Sequence, residues 1–275
     1  MAWTPGQRKA ARALEDPFVD VPDHLTQPLW NWIAGSLALR GGRGLVDADR
    51  MEKLAVDLRT HFAGDTGPQK LRSLMAWCSD QPTRMLDVVE QLLERHGWDN
   101  GSGEDLADLL TRANSAYVVN PDWDGLQERL APGVKEVVQE AVNAASGSAG
   151  EHLATAWNEA YGRNPDPTKA YSEAVKAVES AMASRVAPQN SVQTLGTMIR
   201  DIAAKPSKWK FAIAGKNADG VETVLSMMRM LWDGQTSRHG GANPTRVETA
   251  DEARAAVHLA ASLVQFGVSG AFDLV

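Results

Sequence analysis

The sequence predicts an all-α protein built from two helical lobes, and three observations carry that expectation. Apolar residues recur at helical spacing in segment after segment; Leu86, Val89, Leu92 and Leu93 share one face while Asp87, Glu90, Gln91 and Glu94 share the other. β-Prone runs are confined to Tyr117–Val119 and residues 126–130, flanking the turn-rich Asn120-Pro121-Asp122-Trp123-Asp124-Gly125, which suits one short β-hairpin near 116–130. The small, flexible run Ser146-Gly147-Ser148-Ala149-Gly150 is the best hinge in the chain, so the boundary between an N-terminal helical domain (1–145) and a C-terminal helical domain (151–275) is expected there.

Composition narrows the class. A chain of 275 residues with 43% hydrophobic content can bury a substantial core. A formal net charge of −7 argues against a dedicated nucleic-acid-coating protein, which needs a basic surface. The stretch from Lys205 to Arg246 runs the other way, with Lys205, Lys208, Lys210, Lys216, Arg229, Arg238 and Arg246 against Asp219, Glu222 and Asp233. One cysteine, Cys78, between Trp77 and Ser79 reads as core and permits no internal disulfide. The first residues lack the apolar core of a signal peptide, and no run of about 18 uncharged apolar residues occurs, so a soluble, cytoplasmic protein is expected.

Taken in order, residues 1–20 mix charge, Pro and small residues and read as a loosely held arm. Leu29, Trp30, Ile33 and Leu37 give a helix over about 25–39, stopped by Gly41-Gly42-Arg43-Gly44; no Gly-Lys-Ser/Thr follows, so those glycines read as a connector. Further helices are expected over 47–62, with Met51, Leu54, Leu58 and Phe62 inward, over 68–78, over 81–95 and from 106 to 113. His96-Gly97 closes the 81–95 helix, where a histidine suits the helix dipole. Val134, Val138, Ala141 and Val142 make the last helix of the first half. In the second half, Leu153, Ala156, Trp157 and Ala160 share a face. Asp166 before Pro167 is an N-cap and first-turn proline for a helix whose inner face is Tyr171, Ala174, Val175, Val178 and Met182, with Glu179 at the edge of that stripe. Val192, Leu195, Met198, Ile199 and Ile202 give another helix, followed by a basic loop over 205–216 that carries Trp209 and Phe211. Lysines interleaved with aromatics are the composition of a nucleic-acid surface, although anchoring of these aromatics in the core, with the lysines solvated, is the favoured reading.

Chemistry concentrates in one place, the run Leu231-Trp232-Asp233-Gly234-Gln235-Thr236-Ser237-Arg238-His239-Gly240-Gly241. The helix before it buries Val221, Val224, Leu225, Met228 and Leu231; the helix after it opens at Thr249-Ala250-Asp251-Glu252, which has capping-box spacing. A histidine near its unperturbed pKa can move a proton and a guanidinium can grip two phosphate oxygens, so His239 and Arg238 are the candidate catalytic pair. Asp233 and Gln235 could orient the imidazole, with Arg229 and Glu179 in support. Lys205, Lys208, Lys210, Trp209 and Arg246 are the candidate nucleic-acid contacts. No P-loop, zinc-ligand spacing, Gly-x-Ser-x-Gly elbow or His-Glu-x-x-His occurs, so neither metal nor cofactor is expected.

The order helix, polar stretch ending in His239-Gly240, final amphipathic helix resembles the C-terminal half of the HEPN superfamily, nearest its abortive-infection branch. The resemblance covers roughly residues 150–275, and AYSEAVKAVES is similar to an early helix of that family. It implies a helical bundle, commonly a homodimer, that binds RNA and, in members that keep an Arg, often followed by Asn, then four to six residues and a His, cleaves it without metal. Here Trp232 stands at the family's arginine position and Asp233 at the asparagine, which leaves the cationic role to Arg238 or Arg229. The expected function is therefore an RNA-binding, metal-independent RNA-cleaving protein of the phage-defence type. The alternatives are a catalytically inactive helical interaction module, regulatory or phage accessory, and a purely structural assembly component.

Overall fold

The computed structural model describes residues 16–39, 45–96, 102–130, 133–145, 147–186, 188, 193–213, 215, 219–238 and 245–275. Expectations for the first part of the N-terminal arm, the glycines at 41–44, Val192, Lys216 and the His239-Gly240-Gly241 end of the polar loop lie outside these residues. Among the described residues are eleven α-helices and two small two-stranded sheets, an architecture that is mostly all-α. The chain divides into two compact units, Met1–Arg129 and Leu130–Val275.

In the first unit, helices α1 (Asp23–Ser36), α2 (Ala48–Asp57), α3 (Gly67–Ser79), α4 (Arg84–His96) and α5 (Ser102–Arg112) surround a core that includes Leu29, Ile33, Met51, Leu74, Leu86, Leu93 and Leu106. The Asp47 carboxylate caps α2 by accepting from the Asp49 and Arg50 amides, and Arg50 Nη1 donates to the carbonyls of Ser36 (2.8 Å) and Ala38 (3.2 Å) just past α1. The expected helix over 47–62 ends early, at Asp57. Arg59 takes a left-handed conformation (φ 50°), and the amides of Arg59 and Thr60 donate to the carbonyls of Val56 and Ala55. These are the paired bonds of a Schellman turn, and the reversal lets Phe62 enter the core from outside the helix. Burial pushes the Cys78 thiol up to about 12, with Arg84 pulling the other way, so it is a protonated core side chain. The hairpin forms where the turn residues placed it: β1 (Tyr117–Val119) pairs antiparallel with β2 (Leu126–Glu128) in the register Val118 to Gln127. Asn120 holds its tip, its side-chain oxygen accepting from the Asp124 and Gly125 amides.

The second unit begins earlier than the glycine-serine run suggests. Helix α6 (Val134–Ala144) buries Val138 and Ala141 in the second core, and its packing partners are α7 (Ala149–Tyr161) and α11 (Ala250–Ser269). Within that run, residues 147 and 148 form a turn directly before α7 and lie inside one unit. Gly147 takes φ 63°, and a side chain at Gly150 would stand 2.7 Å from the Val142 carbonyl oxygen. At the centre lies α8 (Pro167–Val186), packed against α7 on one side and α11 on the other. Asp166 caps it through the Lys169 amide with Pro167 in the first turn, and Thr249 and Glu252 form the capping box of α11. Helices α9 (Leu195–Ala204) and α10 (Gly220–Gly234) complete the bundle.

A second sheet contradicts the expectation of a single β element. After a short 3₁₀ turn at Pro206–Lys208, β3 (Trp209–Phe211) pairs antiparallel with the terminal β4 (Phe272–Leu274), Lys210 opposite Asp273. Trp209 stacks on Phe272 with ring centroids 5.2 Å apart and planes 4° from parallel, and Phe211 meets Phe266 edge-on. Neither three-residue strand carries a periodic signal of its own; the partners are separated by about sixty positions of sequence. Truncation of this anchor, Phe272→Ala, is expected to lower stability by about 3–5 kcal/mol in urea denaturation, the usual range for a fully buried phenylalanine.

A part-buried polar contact ties α7 to α11. The Tyr161 hydroxyl lies 2.7 Å from His258 Nε2, Trp157 meets the imidazole edge-on, and the Arg254 guanidinium sits 5.2 Å from the Tyr161 ring centroid. Burial holds the His258 pKa below its ordinary value. The unfolded chain therefore binds a proton more readily there than the folded one, and stability present above about pH 6.5 is lost as the pH falls toward the lower folded value. Melting temperatures of wild type are expected to drop more between about pH 7.5 and 5.5 than those of His258→Gln, measured side by side.

Candidate functional site

Helix α10 is cut at Gly234 because the side of the bundle it approaches is full. A side chain at Gly234 would collide with the Tyr171 hydroxyl of α8, and Gln235 leaves the helix in an extended conformation (φ −75°, ψ 93°). Thr236 and Ser237, which follow, are tied down by Glu248, a residue only 3% exposed. Its carboxylate accepts from the Ser237 amide at 2.8 Å, from Thr168 Oγ1 at 2.9 Å and from Thr236 Oγ1 at 3.4 Å. Thr236 Oγ1 also lies 2.8 Å from the Arg246 carbonyl oxygen. Burial alone would raise the Glu248 pKa, but the Ser237 and Thr168 bonds outweigh it and hold the group ionised below the usual range. One buried carboxylate thus joins the start of α8 to both described sides of the polar loop.

Arg238 folds back over the helix it follows. Its Nη1 donates to the Trp232 carbonyl at 2.6 Å, and the guanidinium carbon lies 3.4 Å from the centroid of the Trp232 ring. Trp232 is itself seated by a glycine: a side chain at Gly196 would stand 2.6 Å from the indole. Near this pair, Glu179 accepts from the Leu195 amide at 2.6 Å and so caps α9. Burial raises the Glu179 pKa, while the Leu195 bond and the charges of Lys176, Arg238 and His152 pull against that rise. Tyr171, buried, is shifted upward by burial first and by Glu248 next.

The remaining expected residues are not all brought together. Arg229 faces away and pairs with Glu222 at 2.5 Å. Asp233 is exposed at the end of α10 and Gln235 follows its last turn. Lys205, Lys208 and Lys210 stand exposed around the 3₁₀ turn and β3. Trp209 beside them is 8% exposed with its ring on Phe272, so it is a core anchor and no base-stacking platform. Arg246 is engaged by both carboxylate oxygens of Glu252 at 2.8 Å, and it is the first cause of a Glu252 pKa of about 2. His239 lies outside the described residues. Glu248 escaped sequence reasoning because a lone glutamate ahead of a capping box has no pattern of its own; only the return of the loop reveals it.

Among the described residues no group of three or more His, Cys, Asp or Glu could hold a metal ion, and no helix is long and apolar enough to cross a membrane. The chain matches no family model, and neither a curated protein nor a solved structure is similar to it.

Replacing Glu248 by Gln removes the charge from three hydrogen bonds, and a loss of about 1.5–3 kcal/mol is expected. Because the folded pKa is depressed, the wild-type advantage should be complete above about pH 4.3 and fade as the pH falls through the lower folded value. Chemical denaturation of both proteins near pH 6 and near pH 3 checks magnitude and sign together, the two curves converging at the acidic value.

Proposed function

We propose that the second unit binds RNA phosphate at the Arg238 edge and cleaves the strand without metal, as a phage-defence protein of the abortive-infection type acting as a homodimer. His239 moves the proton and Arg238 stabilises charge on the phosphate. The observation that carries this reading is the seat of Arg238. Its guanidinium is held over Trp232, the residue at the position where the resembling family has its arginine, so a cation is returned to that end of α10 from six residues downstream. A guanidinium already ordered by a ring face and a carbonyl loses less freedom when it grips a phosphate. The exposed lysines 205, 208 and 210 add local positive charge to the same unit. RNA chemistry of this kind needs no metal, since the ribose 2′-hydroxyl is the nucleophile once its proton is taken.

A second reading, a catalytically inactive helical interaction module, is favoured by the engagement of the other cations. Arg229 and Arg246 are neutralised by Glu222 and Glu252, and Trp209 is spent on the core. The two readings separate on purified protein in chelator-treated buffer with labelled single-stranded RNA. Under the first, His239→Ala loses about 10²–10⁴ in cleavage rate with its melting temperature unchanged. Arg238→Ala weakens RNA binding more at low salt than at high salt, because an exposed charge contact is screened. Wild-type protein that neither binds nor cuts RNA establishes the second reading.

A further inference from the structure

The ring that carries Arg238 is closed on both of its faces. The guanidinium carbon stands 3.4 Å from the centroid of the Trp232 ring, which is stacking distance over a face. A Cβ placed on Gly196 would stand 2.6 Å from both Cε2 and Cζ2 of the same indole and 3.0 Å from Nε1. Near-equal distances to three contiguous atoms put the glycine over the ring and not at its rim. Two groups this close cannot share one face, so the indole lies between the backbone of α9 and the guanidinium. The start of α9 is itself fixed: the Glu179 carboxylate accepts from the Leu195 amide at 2.6 Å, and Thr194 forms a capping box with Thr197.

A ring held in this way has two consequences. Any side chain at 196 would displace the indole, so the glycine sets where the opposite face of Trp232, and with it Arg238, can lie. Nη1 of Arg238 is fixed on the Trp232 carbonyl at 2.6 Å, which locates the guanidinium by a plane and an acceptor together. The second consequence concerns bases, since a ring covered on both faces cannot stack on one. The segment from Lys205 to Arg246 has two other aromatic residues, Trp209 and Phe211. Trp209 lies parallel to Phe272 and Phe211 meets Phe266 edge-on. Single-stranded nucleic acid is held by cations on phosphates and by aromatic rings on bases. In this segment all three rings have internal partners, and Arg238 presents charge.

We infer that Gly196 and Trp232 form a seat for Arg238, and that the ligand taken there is the phosphodiester backbone of an RNA strand, whatever its bases. The inference rests on the RNA reading above and narrows it. Arg238 supplies one phosphate contact, Trp232 supplies no base contact, and Gly196 is a positioning residue that touches no ligand. Recognition of this kind is electrostatic and weakens with salt through the release of counterions.

The test uses the full chain in chelator-treated buffer, first without RNA and then with labelled oligo(U), oligo(C) and oligo(A) of one length over a series of salt concentrations. In arginine-labelled protein the Arg238 side-chain protons, identified by their loss in Arg238→Ala, are expected upfield under the indole ring current. They should return toward ordinary arginine positions in Gly196→Ala and in Trp232→Leu; the second variant keeps an apolar side chain and serves where the first does not fold. Wild-type affinities for the three oligonucleotides should agree within about threefold, whereas a stacked base would separate them. The slope of log K against log salt is expected to shrink by about 0.7 in Arg238→Ala, one phosphate contact on a single strand, and by the same amount in Gly196→Ala. The double variant should bind no more weakly than Arg238→Ala alone, because both changes remove one contact. Upfield signals that persist in Gly196→Ala and Trp232→Leu overturn the seat, whatever RNA does. Additive losses in the double variant overturn the positioning role of Gly196. A spread of about tenfold or more among the oligonucleotides overturns recognition of the backbone alone. Wild type that binds none of them overturns the RNA reading and the ligand together, while the ring-current shifts report on the seat by itself.

Discussion

The second unit depends on how closely two helices can approach α8. Ala170, Ala174, Ala177 and Ala181 are all buried on it, and α11 answers with Ala253, Ala256, Ala260 and Gly267. A side chain at Gly267 would stand 3.1 Å from Met182 Sδ, a measure of how little space separates these helices. Short side chains bring backbones together and commit two faces of α8 to its neighbours; close packing then leaves no freedom in the register. That register is what sets His152 against Glu173, Ser148 against Ser180 and Tyr161 against His258.

Outside those alanines, polar groups of α8 meet partners on more than one of its faces. Thr168 at its beginning bonds Glu248, Tyr171 abuts Gly234, Glu173 and Lys176 face His152, and Glu179 caps α9 within reach of Arg238. The half-buried Glu173 and Glu179 and the buried Glu248 each have amide, hydroxyl or cationic partners that offset desolvation. Glu248 is the strongest case: it fixes the described part of the polar loop relative to α8, and hence the start of the turn that places Arg238. A site supported in this way is held by the scaffold and not by the loop alone.

Much of this was legible in the residues. The amphipathic stripes placed the helices, Asp166 and Thr249 capped as their chemistry requires, and Asn120 through Gly125 turned the hairpin. Three stretches have partners that their local composition does not show. The glycine-serine run at 146–150 reads as a hinge, yet Gly147 (φ 63°) sits in a turn directly before α7, inside the second unit. Trp209 among lysines fits either a nucleic-acid surface or a core anchor, and its ring stacks on Phe272. Arg246, a candidate nucleic-acid contact, is paired with both oxygens of Glu252. In each case the local pattern was read correctly and its partner lay elsewhere.

The sequence by itself therefore determined the helical class, most element positions, the hairpin and the polar character of the Arg238 loop, because periodicity, capping and turn preference act over a few residues and are written locally. The tertiary structure alone decided which polar groups meet. Glu248 with Thr168, His152 with Glu173, Arg238 with the Trp232 ring and β3 with β4 are contacts whose energy depends on burial and distance. Of these only the Arg238 contact lies within one stretch of sequence, and even there the return of the chain over the end of α10 is set by Glu248 and the packing of Gly234 on Tyr171.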